Sequence, residues 1–187
     1  ILPEALLDAI DDLGKLPGVG SRTAERYAYY LLKNDPLVAQ KIAHSLTNLH
    51  NNVKSCPITF ALISKDEEVS PLYSDEHRDK TVIAVVEEPL DIIALEKTKQ
   101  FSGTYHVLGG AISPIDGVGP EQLHLEELTQ RIKTDSVKEI IIATNASVEG
   151  ESTALYLQRF LRDKGFTNLE ISRLARGIPA GVDLEYA

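Results

Sequence analysis

The sequence predicts an α/β protein with an N-terminal all-α region. Three observations carry that reading. The first fifty residues place apolar side chains at helical spacing, residues 81–86 and 138–143 are β-branched runs of strand length, and segments of helical period lie between and after those runs. Strands that alternate with helices imply a mostly parallel sheet flanked by helices, joined by right-handed crossovers.

The first helix is expected over residues 3–13, where Leu6, Leu7, Ile10 and Leu13 recur at helical spacing and Gly14 follows as a C-cap. Lys15-Leu16-Pro17-Gly18-Val19-Gly20 reads as a tight turn, and Ser21 as the N-cap of a second helix running from Arg22 to Leu32. Residues 37–53 give a third, amphipathic helix with Val38, Ile42, Leu46, Leu49 and Val53 along one stripe. Residues 55–80 change character, with a short apolar run, the Lys65-Asp66-Glu67-Glu68 cluster and Pro71, and read as a linker or small insert. Thr81-Val82-Ile83-Ala84-Val85-Val86 has the composition of a central strand buried on both faces. A helix over residues 89–98, a short strand Tyr105-His106-Val107-Leu108 and a helix over 121–133 follow. Residues 138–143 repeat the buried-strand pattern, then come a helix over 152–164 and a last strand over 169–174. Three segments result: 1–54, 55–80 and 81–187.

With 187 residues, 43% hydrophobic and 25% charged, the chain can bury a real core. No run has the length of a membrane span and no secretion signal is visible, so a cytoplasmic protein without membrane contact is expected. The chain contains no methionine, so a native N-terminus upstream of Ile1 is expected. A single cysteine, Cys56, excludes an internal disulfide and a zinc site made of four cysteines of one chain.

The net charge of −9 is unevenly spread. Residues 1–54 carry six basic and six acidic side chains, 55–80 three against six, and 81–187 ten against sixteen. DNA would therefore meet the first segment, while the acidic remainder suits basic protein partners.

The turn from Leu16 to Gly20 is the strongest short signal. Gly18 and Gly20 permit a sharp turn and a close backbone approach to another chain. Amides of the turn and of the next helix start can then point at a phosphate, which the helix dipole also favours. Arg22 and Arg26 lie one turn apart on one helix face and, with Lys15, form a small phosphate-gripping surface. Such contacts position DNA without reading its sequence. The plain alternative is a helical hairpin whose glycines serve only the turn.

Lys15 to Leu32 resembles the helix-hairpin-helix of the RecR family of recombination mediators, and further motifs follow in that family's order. They are Arg78-Asp79-Lys80, Glu87-Glu88-Pro89, Tyr105-His106-Val107-Leu108, Ile112-Ser113-Pro114, Gly117-Val118-Gly119-Pro120, Ala143-Thr144-Asn145 with Glu149-Gly150-Glu151, and Leu184-Glu185-Tyr186. The resemblance implies a DNA-binding mediator that works as a homo-dimer or homo-tetramer ring and, with RecO or RecF, loads recombinase at gapped DNA. It also implies that the second module is Toprim-like.

Catalytic Toprim members place a glutamate after the first strand and an Asp-x-Asp pair after a later one, and these carboxylates hold magnesium. Glu87 or Glu88 fills the first place, but Asn145 and Ser147 stand where the two aspartates belong. Uncharged ligands hold a hard cation poorly, so the resemblance implies a binding module, with no catalytic residue and no cofactor. Glu149 and Glu151 fit two readings. They are favoured by a helix dipole at the start of the 152–164 helix, or, with Glu87 and Glu88, they face a protein partner.

The resemblance further implies two Cys-x-x-Cys pairs in the middle segment, but this chain has Cys56-Pro57-Ile58-Thr59 and Ser70-Pro71-Leu72-Tyr73. His50 and His77 flank them at irregular spacing and read as solvated surface, so no metal is expected. The apolar residues Ile58, Phe60, Leu62 and Ile63 would then supply by packing what a metal supplies elsewhere. Two other functions stay open: a Toprim-type metal-dependent nuclease or primase-like enzyme, and a protein-only adaptor with a vestigial hairpin. The glycines at 109, 110, 117 and 119 lack the P-loop lysine and spacing and read as turns, and Asp116 among them receives no role.

Overall fold

The computed structural model describes residues 2–175. The chain divides after Asn52 into two compact units. The first holds three helices, α1 (Glu4–Gly14), α2 (Ser21–Lys33) and α3 (Pro36–Asn52). Ala24 and Ala28 are the buried residues of α2, one turn apart, and small side chains there let α1 pack closely. The residue in N-cap position of α2 is Gly20, in extended conformation, and Ser21 is the first helical residue instead of the cap. The third helix stops one residue short of Val53, and its stripe of Val38, Ile42, Leu46 and Leu49 lies exposed.

The second unit opens with an antiparallel hairpin of β1 (Val53–Ser55) and β2 (Leu62–Ser64), with Val53 opposite Ser64. A single-turn helix α4 (Pro71–Ser74) follows, started by proline at its first position, where the missing N–H costs nothing. Thereafter strands and helices alternate: β3 (Asp79–Val86), α5 (Asp91–Glu96), β4 (Gly103–Val107), α6 (Leu125–Thr134), β5 (Glu139–Ile142), α7 (Val148–Asp163) and β6 (Glu170–Arg173). Among the described residues, the four strands from β3 onward form one parallel sheet in the order β4-β3-β5-β6.

Side chains alternate between the two faces of β3. Ile83 and Val85, with Ile140 and Ile142 of β5, pack against Leu128 and Ile132 of α6 and Ala154, Leu157 and Leu161 of α7. Ala84 and Val86, with Tyr105 and Val107 of β4, pack against Ile92 of α5 and against Phe60, Ala61 and Leu72 from residues 53–74. Both faces are therefore covered, which is why the strands read as unbroken apolar runs. Each large aliphatic side chain so buried stabilises the fold by about 1.5–3 kcal/mol. Residues 53–74, expected as a linker or small insert, are thus an ordered part of one core layer of the second unit. The Thr59 carbonyl accepts the Val107 N–H at 2.9 Å, on the open side of the edge strand β4.

Several bounds differ from expectation. The helix expected from residue 121 begins at Leu125, because Pro120–Gln122 forms a separate 3-10 turn. The last helix begins at Val148, four residues before the expected start, so Glu149 and Glu151 both lie in its first turn. Asp116 accepts a 2.6 Å hydrogen bond from the Ser113 hydroxyl, which closes the loop before that 3-10 turn. The Leu184-Glu185-Tyr186 motif lies outside the described residues.

Candidate functional site

Within the three-helix unit, Gly18 has φ +78° and the space where a Cβ would stand is open. That left-handed residue turns the chain between α1 and α2, and the Val19 N–H closes the turn onto the Leu16 carbonyl at 3.0 Å. The Thr23 and Ala24 amides both bond to the Gly20 carbonyl, at 2.9 and 3.0 Å. The Ser21 and Arg22 amides, at the open end of α2, have no intrahelical acceptor and are the donors available to an anion. Arg22 and Arg26 are exposed on that helix, and among the described residues neither is held in an ion pair. Lys15 differs, since its ammonium lies 2.9 Å from Asp11 and 2.8 Å from Asp12, which compensate its charge and raise its pKa through those hydrogen bonds.

In the sheet unit the decisive place is the carboxyl end of β3 and β5. The chain runs from β3 to β4 on one side and then returns to β5 on the other, so the strand order reverses between them. Parallel sheets open a crevice at such a switch point. Glu87 follows β3 there and Asn145 follows β5. The Glu87 carboxylate is turned inward, 6% exposed, and accepts the Asn145 backbone N–H at 2.9 Å and its Nδ2 at 2.6 Å. The side chain of Ser147 caps α7, accepting the Gly150 N–H at 3.0 Å.

Gly150 enters the sequence reading only within the Glu149-Gly150-Glu151 motif and receives no role there. A Cβ on it would sit 2.2 Å from the Asn145 carbonyl oxygen and 2.7 Å from Glu87 Oε1, so only glycine fits between α7 and the Glu87–Asn145 pair. No sequence signal marked it, because the helix was expected only from residue 152 and a glycine inside a helix is disfavoured by propensity.

Of the other acids, Glu88 is exposed and its backbone N–H is held by Asp91 at 2.8 Å. Glu149 is half-buried in the first turn of α7, and Glu151 meets Arg173 of β6 in a bidentate pair at 2.7 and 2.6 Å. The four glutamates therefore do not present equal charges outward. Glu88 faces solvent, Glu87 is satisfied internally, and Glu151 ties α7 to β6.

These donors do not fit a magnesium ion. Both Glu87 oxygens face amide N–H groups, the two neighbours that would complete a site are uncharged, and among the described residues no group of three His, Cys, Asp or Glu could hold a metal.

The Toprim domain family matches residues 81–175, and the RecR helix-hairpin-helix family matches residues 6–50. The chain is 50% identical over 185 residues to Recombination protein RecR of Moorella thermoacetica, covering 99% of this chain and 90% of that protein. The belonging is decided by that coverage. The chain belongs to the RecR family. RecR proteins of Acidothermus cellulolyticus and Streptomyces coelicolor are each 47% identical over 180 residues, covering 96% of this chain and 88% of each relative. Membership in the RecR family makes recombinational DNA repair the setting of this chain. Among the described residues, no helix is long and apolar enough to cross a membrane.

Proposed function

We propose that this chain is a non-catalytic recombination mediator of the cytoplasm that grips DNA through Gly18, Gly20, Arg22 and Arg26, with Lys15 at the margin. The observation that carries the reading is the pair of exposed, uncompensated arginines beside the open amides of Ser21 and Arg22. Their geometry suits phosphate and offers nothing that reads a base. The bounds proposed for the working parts are 1–54 for DNA, 55–80 for the insert and 81–187 for the Toprim-like module.

Weak phosphate sites gain affinity when several are linked, which suits a homo-dimer or homo-tetramer ring. The exposed apolar stripe of α3 supports self-association, because contiguous apolar surface of that kind is seldom left to solvent. A RecO- or RecF-like partner would meet the acidic crevice, with Glu88 exposed and Glu149 half-buried at its rim, Glu87 holding the Asn145 backbone and Glu151 tying α7 to β6 through Arg173. The internal hydrogen bonding of Glu87 favours this binding role over a Toprim nuclease or primase-like enzyme.

The test is binding of fluorescent duplex and gapped DNA across a salt series, with and without magnesium, while the same DNA is checked for cleavage. Salt-sensitive retention of intact DNA is expected. Magnesium-dependent cleavage would replace this reading with the enzyme. Retention unchanged by charge reversal at Arg22 and Arg26 would replace it with the protein-only adaptor.

A further inference from the structure

The four positions that the family's cysteine pattern would fill, 56, 59, 70 and 73, are brought together in this chain by other means. Cys56 is fully buried, Thr59 is 2% and Ser70 3% exposed, and the backbone N–H groups of Thr59 and Ser70 both point at Cys56 Sγ, at 3.4 and 3.3 Å. Two turns far apart in sequence thus converge on one sulfur atom. Their donor set does not suit zinc, which takes thiolate, imidazole or carboxylate ligands, because three of the four side chains are Thr, Ser and Tyr.

The fourth position makes its side-chain hydrogen bond at the end of α6 instead of at the sulfur. Tyr73 donates its hydroxyl to Asp135 Oδ1 at 2.9 Å, and Asp135 Oδ2 pairs with Arg131 Nε at 3.1 Å, with both charged side chains almost wholly buried. The same guanidinium reaches the Tyr105 carbonyl and the Thr104 hydroxyl of β4 and lies under the Tyr73 ring, 5.0 Å from its centroid. Lys80 covers that ring at 4.4 Å. A buried charge pair is tolerable only when its remaining donors and acceptors are satisfied, and here the insert and β4 complete the set. On the other flank Phe60, at φ 59°, stacks on His124 with centroids 3.6 Å apart and meets the edge of His106 at 5.5 Å.

We infer that a metal-free clasp, Tyr73–Asp135–Arg131 together with the Cys56 acceptor, holds residues 53–74 against β4 and α6 in place of a zinc ion. The insert is folded by its contacts with the sheet unit, so its order depends on residues outside it. A zinc knuckle would carry its own order within the four ligands.

Cys56 is the sole cysteine and therefore reports clasp opening in the whole chain. The experiment follows the rate at which an aromatic disulfide reagent labels Cys56 in the purified full chain, with and without a zinc chelator, alongside metal analysis of protein from zinc-supplemented cells. Slow labelling unaffected by chelator is expected, without stoichiometric zinc. Tyr73→Phe should keep the ring and its cation contacts yet label about tenfold faster or more, since a hydrogen bond to a charged group is lost. Asp135→Asn should act in the same direction, and Tyr73→Phe decides the matter should the buried Arg131 prevent that variant from folding. Chelator-accelerated labelling, stoichiometric zinc, or Tyr73→Phe labelled at the parent rate with an unchanged circular dichroism spectrum would each overturn the inference.

Discussion

Asn145 holds both carboxylate oxygens of Glu87, one by its backbone N–H and one by its side-chain amide, across 58 positions of sequence. An aspartate at position 145 would remove the side-chain donor and set a second negative charge against a buried one. Asn145→Asp should lose about 1.5–3 kcal/mol in urea unfolding at neutral pH, the range for a hydrogen bond to a charged group. Two facing carboxylates resemble a hard-cation site, so added magnesium should recover part of that loss and leave the parent unchanged.

Gly150→Ala tests the same crevice from the helix side. Helix propensity favours alanine by about 1 kcal/mol. The added Cβ would meet the Asn145 carbonyl at 2.2 Å, and a backbone atom held in a loop between strand and helix cannot yield cheaply. The variant should therefore lose about 1–3 kcal/mol in denaturant unfolding, opposite in sign to propensity.

How legible these features are follows from their range in sequence. The strands β3 and β5 stand out because burial on both faces selects β-branched runs, and α2 stands out because a turn with glycine precedes it. The start of α7 was hidden because Gly150 breaks the helical pattern at the place where packing forbids a Cβ. The insert was opaque for another reason. Pro57 and Pro71 interrupt local periodicity, and the bond that anchors it to α6 joins Tyr73 to Asp135, 62 positions away, so no local window of sequence contains both partners. The motif positions Glu87 and Asn145 fall at the carboxyl ends of β3 and β5, but nothing in the sequence indicated that the pair would satisfy itself.

At the hairpin, reversal of both Arg22 and Arg26 to Glu should cut DNA retention steeply and lower the slope of log affinity against log salt by about two per subunit engaged. Lys15→Ala should do much less, since Asp11 and Asp12 already balance that charge. Gly18→Ala should cost about 1–2 kcal/mol, because φ is +78° there, whereas Gly20→Ala, at φ −79° with open space around it, should cost far less. Filter retention and thermal unfolding of the same variants separate binding from stability.

His106 sets the response to acid. Burial holds its pKa down at about 3, from an ordinary 6.5, against the opposing hydrogen bond from its Nε2–H to the His124 carbonyl at 2.8 Å. A folded-state pKa depressed in this way gives stability that is present above the unfolded value and lost as pH falls below it. Each unit below pH 6.5 should cost about 1.4 kcal/mol until the folded ring itself takes up a proton. His106→Gln should be less stable at pH 7 yet lose that part of the slope, which urea titrations at stepped pH will read.

The hydrogen bond from Val107 to the Thr59 carbonyl bears on colloidal behaviour as well. Strand β4 is buried along its whole length although it ends the sheet, and an uncovered strand end of that apolar kind would template pairing with other molecules. A shortened chain without residues 53–74 would carry Tyr105 and Val107 into solvent beside unpaired backbone. Loss of the segment would then show first as precipitation, and as weakened repair only secondarily.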